Sequence, residues 1–410
     1  MNLVVLFQNV GGYHGARLRA LQNICNARNW KLTAVQVTDN CTEHQWGGLE
    51  QAIDFDLRTL LPSEGKPLDV DCGEDALAAA RAMRIFLNKL RPDIVVIPGW
   101  GFPVSRTALS WSRRYGALAI LMSESKRDDE KRLWWKDLIK SRLFVRRFDA
   151  ALVGGQLHFD YLVELGFPVE QIFFGYDVVD NDYFRARAAA ARADPGEARR
   201  RNPLLPVRPF FLAVTRLIDR KNILGLVEAF AAYRQHFKED GAWDLAICGS
   251  GKEEPRIRQM IQHLELGDSV HMPGFVSYQQ IGDWYGLADA FVHPALQEQW
   301  GLVVNEACAA GLPILSSQTV GARYDLVREN ENGWLFNPRS KEEITSVLIK
   351  MHTSDRSKRN MMGKNSEAIV AAFCPQRFAT SLFRAIEAAR GSRKRRRSAV
   401  AAGEESGFAR

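Results

Sequence analysis

Two carboxylates, Glu298 and Glu306, stand in the stretch QEQWGLVVNEACAAGLP (297–313) with seven residues between them. Gly301 lies in the gap, and a turn of small residues follows. AFVHP (290–294) reads as a strand, ALQEQW as a loop, and LVVNEACAA as a helix that Gly311 ends. Gly301 then marks a helix N-terminus, where unsatisfied N–H groups and a partial charge of about +0.5 attract phosphate. A carboxylate deep in such a site would repel the ligand, but one on each flank can accept hydrogen bonds from hydroxyls beside the phosphate. A nucleotide-sugar has that layout, with ribose hydroxyls on one side of its diphosphate and sugar hydroxyls on the other. The plainer alternative is a glutamate favouring a helix start and another on a solvated face, and the pair alone leaves both open.

Other residues fall at comparable places. TRLIDRKN puts Arg216 and Lys221 directly after the strand FFLAVTR (210–216), with Lys221 near the next helix. Two cations there can clamp a diphosphate and neutralise charge on a leaving group. The strand WDLAICG (243–249) runs into CGSGKEE, whose Gly249 and Gly251 permit close backbone approach to a ligand. Together these motifs resemble the retaining family 4 glycosyltransferases of the GT-B fold, of the group 1 type. That family carries a strand-R-L-x-x-x-K element, a G-x-G turn, and E-x-F-G-x-x-x-x-E before a small-residue, glycine and proline turn. Here the last motif has Trp300 where phenylalanine is usual. The match covers about 208–370, including HMPGFVS (271–277) and QTVGARYDLVRENENGWLFNP (318–338).

The resemblance implies that Arg216 and Lys221 hold the diphosphate and Glu306 the ribose hydroxyls. Glu298 would contact the transferred sugar, backbone N–H groups near Gly301, Leu302 and Val303 the sugar or phosphate, and the Gly274–Val276 loop, with Phe275 and Val276, the base. It implies no metal, since Arg, Lys and the helix terminus replace one; the DVD at 69–71 lies far from the matched elements.

The N-terminal half matches more loosely. NVGGYHG (9–15) would set Gly11 and Gly12 against the diphosphate from the opposite wall. It is not a G-x-G-x-x-G, and Asp39 in a TDN turn is a poor ribose ligand, which speaks against a dehydrogenase. DNDYF (180–184) resembles the D-x-x-x-F that precedes the family's interdomain linker. Where many members have a histidine after the fourth N-domain strand, ILMSES offers Ser123, Glu124 and Ser125, so Glu124 is the acceptor-side candidate; His14 is the other.

The elements that must position these residues alternate along the chain. NLVVLF (2–7), KLTAVQV (31–37), DIVVIPG (93–99), GALAILM (116–122) and AALVGG (150–155) read as buried strands separated by helical patterns. A second series adds VHMPG (270–274) and PILSS (313–317) to the strands already named. Such alternation predicts parallel sheets covered on both faces. The expectation is an α/β protein of GT-B architecture: two facing doubly wound Rossmann-like domains with a cleft between them. The expected limits are 1–184 for the acceptor-side domain, 185–208 for an irregular connector, 209–370 for the donor domain, 371–391 for a last helix ended by Gly391, and 392–410 for a disordered basic tail. A chain of 410 residues exceeds one ordinary core, which agrees with two domains.

Composition narrows the class. The protein is 46% hydrophobic and 25% charged, with a formal net charge of +7. Its six cysteines show no CxxC or Cys/His spacing suited to zinc, so buried, reduced thiols are expected. No apolar run approaches the roughly 20 residues that span a bilayer, and MNLVVLFQ reads as a strand rather than a signal peptide. Residues 106–147 hold twelve Lys/Arg against five Asp/Glu. Within them, Arg132, Lys136 and Lys140 fall on one helical stripe beside Trp134 and Trp135, with Trp135, Ile139 and Leu143 expected to pack inward. Basic residues beside tryptophan suit an anionic membrane surface or a phosphate-bearing acceptor, so 126–147 is the candidate face. No nucleic-acid partner is expected, no cofactor beyond the donor itself, and a cytoplasmic location, at most peripheral on the inner face of the membrane. The function implied is metal-independent sugar transfer from a nucleotide diphosphate-sugar to an acceptor hydroxyl with retention. The rivals are a nucleotide-sugar 2-epimerase of the same architecture and a non-catalytic nucleotide-sugar-binding protein.

Overall fold

The structure is a computed structural model, and it describes residues 1–40, 54–63, 65–129, 134–237 and 241–407. The chain divides into two compact units, Met1–Val178 with Pro375–Arg410, and Val179–Cys374.

The first unit is built on seven strands: β1 (Asn2–Phe7), β2 (Lys31–Gln36), β3 (Leu57–Thr59), β4 (Ile94–Pro98), β5 (Leu118–Ser123), β6 (Ala150–Val153) and β7 (Ile172–Phe174). They lie in the order β3-β2-β1-β4-β5-β6-β7, and every pairing is parallel. Leu3 to Phe7 are all buried, as a strand covered on both faces requires. The direction of strand succession reverses between β1 and β4, the place where an open α/β sheet opens a crevice.

The second unit repeats the plan with β8 (Phe210–Val214), β9 (Asp244–Cys248), β10 (Val270–Gly274), β11 (Ala290–His293), β12 (Ile314–Ser317) and β13 (Gly333–Phe336). Their order is β10-β9-β8-β11-β12-β13, again wholly parallel, and the reversal falls between β8 and β11. Strands β3, β7 and β13 had no counterpart in the sequence reading. Each has three or four residues and lies at a sheet edge, so no period-2 signal builds up.

Two expected irregular segments are helical. Residues 185–208 hold most of helix Asn181–Ala193 and all of helix Pro195–Arg201. Asp180 and Asp194 cap them by accepting from Tyr183 N at 3.0 Å and Glu197 N at 2.9 Å. The alanines that left no obvious apolar face bury Ala188 and Ala191 against helix Tyr278–Leu287, where Gly286 leaves room for close backbone approach. The last helix runs from Pro375 to Gly407 and does not stop at Gly391. Glycine inside a helix is unfavourable by about 1 kcal/mol relative to alanine. Just beyond it, Arg393 donates to both Asp149 carboxylate oxygens at 2.8 and 2.6 Å and to the Gly116 and Ala117 carbonyls, which holds the helix onto the first unit.

Two further expectations differ, and a third falls outside the described residues. Trp135, Ile139 and Leu143, on helix Trp134–Leu143, are exposed, as is Leu138. Arg132 lies outside the described residues, as does part of the 126–147 stretch. Among the described cysteines Cys25, Cys248 and Cys308 are buried, but Cys72 is exposed.

Candidate functional site

At the carboxyl ends of β8 and β11, the adjacent strands where the second sheet reverses, two loops are tied together. Leu296 N donates to the Arg220 carbonyl at 2.8 Å, which fixes the loop carrying Glu298 to the turn carrying Lys221. The ammonium of Lys221 is 7% exposed and pairs with the Glu298 carboxylate. His293, the last residue of β11, is 1% exposed and sets Nε2 3.0 Å from the same Oε2. Burial acts to raise the Glu298 pKa, but the Lys221 charge and then the His293 hydrogen bond outweigh it and hold the carboxyl well below the usual glutamate range. Burial also lowers Lys221, with Glu298 opposing, and lowers His293, which is neutral at pH 7 and donates from Nε2.

The loop past Glu298 is shaped by glycines. Gly301 has φ +98°, a left-handed conformation that starts helix Leu302–Ala309. Leu302 and Val303, half-buried, supply first-turn N–H groups that no carbonyl of their own helix can reach. Trp300 is buried and donates through Nε1 to Asn305 at 2.8 Å, so it serves as the floor of the loop. Glu306, 4% exposed, accepts from the Tyr285 hydroxyl at 2.7 Å. It is therefore a buried, bonded carboxylate on the core side of its helix rather than a residue of a solvated face.

Arg216 is half-buried, two residues past β8. Gly249 and Gly251 have a reason within the chain: a Cβ on either would overlap the Thr215 or Leu217 carbonyl. Leu217 N donates to the Ser250 carbonyl at 2.8 Å, so these glycines let the β9 loop lie on the Arg216 loop, and their absence of side chains needs no ligand to explain it. Phe275 is 55% exposed and Val276 half-buried, directly after β10. The second unit thus gathers Lys221 and Glu298 in one ion pair, with Gly301 beside it and Glu306 on the helix that follows.

Gly11, Gly12 and Glu124 belong to the first unit. Gly11 precedes helix Gly12–Ala27, and its N–H donates to His14 Nδ1 at 3.0 Å, an arrangement repeated by Gly155 and His158 at 3.2 Å. His14 thus closes a helix start. Glu124 follows β5, two strands from β1; burial, then the Glu124 charge, push the buried Asp177 carboxyl above its ordinary range. Two functional neighbours were missed in the sequence. His293 was detectable as a histidine ending a buried strand, five residues before Glu298. Asp177 was not, because 53 positions separate it from Glu124. Among the described residues no group of three His, Cys, Asp or Glu side chains is placed to hold a metal ion, and no helix is long and apolar enough to cross a membrane.

Comparison with known proteins agrees with this geometry. The sequence pattern of the glycosyl transferases group 1 family matches residues 196–368, the stretch holding the Lys221–Glu298 cluster. The chain is 28% identical over 175 residues to the alpha-monoglucosyldiacylglycerol synthase of Acholeplasma laidlawii, covering 42% of this chain and 41% of that protein. It is 31% identical over 196 residues to the putative colanic acid biosynthesis glycosyltransferase WcaL of Escherichia coli, covering 46% and 44%. The chain thus spans less than half the length of these relatives. Across the whole fold it resembles the crystal structure of Anabaena HepE in complex with UDP, with a TM-score of 0.68, 17% identity, and coverage of 94% of this chain and 100% of that one. Residues 196–368 thus match the glycosyl transferases group 1 family, and the two parallel-sheet units have the GT-B fold.

Proposed function

We propose that the protein is a metal-independent, retaining glycosyltransferase that moves a sugar from a nucleotide diphosphate-sugar to an acceptor hydroxyl. The observation that carries this reading is the buried Lys221–Glu298–His293 cluster at the reversal between β8 and β11, beside the left-handed Gly301. Lys221 and Arg216 would take the diphosphate, with the first turn at Leu302 and Val303 adding N–H donors. Glu298, released from Lys221 by the arriving phosphate, would accept from sugar hydroxyls, while Glu306 would accept from the ribose. Gly249, Gly251, Phe275 and Val276 would border the nucleoside. As the C1–O bond to the diphosphate breaks, the acceptor oxygen would bond to C1 on the same face and its proton would pass to the departing phosphate oxygen. Cations fixed before the reaction stabilise that developing charge.

Because Anabaena HepE was crystallised with UDP, uridine diphosphate sugars are the first donors to try. The name of the Acholeplasma laidlawii relative makes a lipid-linked acceptor a reasonable first choice. The exposed Trp135, Leu138, Ile139 and Leu143, on one helix with Lys140 and Arg142, support a peripheral contact of 126–147 with an anionic membrane. The reading is tested by screening nucleotide-sugars with glycolipid and polysaccharide acceptors in excess chelator and assigning the anomer of the product by NMR. Transfer with retention in chelator is expected. Activity that requires added magnesium or manganese would refute metal independence, and an inverted anomer would refute retention. Conversion of the donor into its 2-epimer would replace the transferase reading altogether.

A further inference from the structure

Glu298 has two partners, and the fold holds them with unequal firmness. Lys221 ends a single turn, Asp219–Lys221, and reaches the carboxylate on a flexible four-carbon stem. His293 ends β11, which lies between β8 and β12, and the register sets it beside Ser316. Its ring runs nearly parallel to that of Phe291, with centroids 6.1 Å apart. Nε2 lies 3.0 Å from Glu298 Oε2. Among the described residues none offers the buried Nδ1 a hydrogen-bond partner. A proton on Nδ1 would leave a buried N–H unsatisfied, so the ring is neutral and carries its proton on Nε2, aimed at the carboxylate. Both contacts fall on Oε2. Among the described residues Oε1 has no such partner, and it is free to accept from a ligand hydroxyl.

The backbone under Glu298 is fixed as well. Ser317, the last residue of β12, and Thr319 beyond it both donate their hydroxyls to the Ala295 carbonyl, at 2.6 and 2.5 Å. Gly321 N donates to the Glu298 carbonyl at 3.2 Å. A Cβ on Gly321 would overlap the Gln299 carbonyl, so a glycine is what lets the two loops lie together. The carboxylate cannot follow Lys221 when that ammonium turns to a phosphate, and His293 is then the partner left to it. We propose that His293 is the positioning residue that grips Oε2 and presents Oε1 of Glu298 to the transferred sugar once Lys221 exchanges the carboxylate for the diphosphate. This role rests on the transferase reading above; the His293–Glu298 hydrogen bond does not.

The chemistry of the two partners suits this division. A desolvated carboxylate that loses its cation would take up a proton or turn toward another N–H or O–H group. A neutral imidazole opposes both, because its N–H favours the charged form of the carboxylate and its place in β11 fixes the direction of the bond. It carries no charge to draw the phosphate toward itself, whereas a second lysine at this position would compete for it. Lys221 therefore serves the phosphate and His293 the carboxylate, although both meet the same oxygen before the ligand arrives. Arg220 shares the turn with Lys221, and its carbonyl accepts from Leu296 N, so the departing ammonium leaves the loop in place.

The hydrogen bond is tested without ligand, by nitrogen NMR of the full chain with labelled histidine rings. His293 is expected as the neutral Nε2–H tautomer at pH 7, with its Nε2 signal displaced in Glu298→Ala. An Nδ1–H tautomer, a charged ring, or a signal indifferent to Glu298→Ala overturns the bond. The role is read from kinetics with the nucleotide-sugar that the wild type transfers. His293→Phe should lower kcat by about tenfold or more, the scale of a lost hydrogen bond to a charged group. Inhibition by the free nucleoside diphosphate should stay unchanged, since Lys221 and Arg216 remain. The acid limb of the kcat profile should move to higher pH, because a carboxylate without its N–H partner holds a proton more tightly. His293→Gln, whose amide nitrogen falls near the place of Nε2, should restore kcat to within a few-fold of wild type. His293→Phe should add nothing to Glu298→Ala. Should His293→Phe fail to fold, His293→Asn, whose shorter amide cannot reach Oε2, takes its place beside His293→Gln. Wild-type kcat with an unmoved acid limb in the folded variant overturns the role. If the NMR results hold and no sugar is transferred, the transferase reading fails and the role with it, while the hydrogen bond stands.

Discussion

Two buried carboxyl groups sit near the carboxyl ends of parallel strands, one in each unit, and their surroundings push their pKa values in opposite directions. In the second unit Glu298 is buried between an ammonium and an imidazole donor, and it is ionised. In the first unit Asp177 is fully buried, and burial, then the Glu124 charge, push its carboxyl well above the usual aspartate range. The sheets follow the same plan, so the backbone does not account for the contrast. The neighbours do: desolvation disfavours charge in both places, and only where a cation is near enough does ionisation prevail. One architecture thus holds a cation-paired carboxylate in one unit and a desolvated carboxyl in the other.

The largest effect should follow from breaking the ionised cluster. K221A leaves Glu298 buried without its cation, and removing one partner of a buried pair typically destabilises by about 3–5 kcal/mol. Urea denaturation of K221A and of the K221M/E298Q double variant measures this; the double variant should recover much of the loss. Equal stability of K221A and wild type would mean that the pair is not desolvated in solution.

Next comes turnover. E306Q and K221A should each lower kcat by about a hundredfold or more, since removing a charge or polar contact that serves the transition state typically costs about 3 kcal/mol. Steady-state rates in folded variants provide the check, and wild-type rates in both would remove the donor site from the second unit.

The two clusters should also respond to pH with opposite sign. The Glu298 carboxyl binds its proton more weakly in the folded chain than in the unfolded one. Its contribution is therefore complete above the ordinary glutamate value of about 4.3 and is lost as pH falls below it. Asp177 binds its proton more tightly when folded, so its contribution is complete below about 3.9 and is lost as pH rises toward its elevated value. Stability differences between E298Q and wild type should shrink on acidification, whereas D177N should gain on wild type as pH rises. A D177N difference that stays flat from acid to neutral pH would erase the contrast.

Smaller effects are expected from the glycines that shape each cluster. G301A forces a side chain into a left-handed conformation, at about 1–2 kcal/mol. G154A pushes a methyl into the Asp177 carboxyl, at about 1–3 kcal/mol of overpacking. Thermal unfolding measures both costs. The smallest effect concerns the surface of the first unit. K140Q/R142Q should weaken binding to acidic vesicles by about 1 kcal/mol per charge, and salt should do the same. Vesicle binding that ignores both would remove the membrane from the acceptor side.

What the sequence determined by itself was local or periodic. Continuous apolar runs such as NLVVLF marked strands buried on both faces, and alternation with helices implied parallel sheets, because these patterns repeat within a few residues. The succession Arg216, Lys221, Gly249, Gly251, Glu298, Glu306 was legible because each follows a strand end that the sequence already marked. The Ala-rich stretch after Asp180 lacked a visible apolar face, since small side chains bury through close helix approach rather than through bulk. The Pro375–Gly407 helix passed its glycine because Arg393 found Asp149, a partner 244 positions away. Tertiary structure alone decided which carboxylates carry charge. Glu298 owes its charge to Lys221, 77 positions earlier, and the Asp177 carboxyl is raised by its burial and then by Glu124, 53 positions earlier. A side chain's type sets the proton it can hold, but burial and the charge next to it settle whether it holds one, and both are properties of the folded chain.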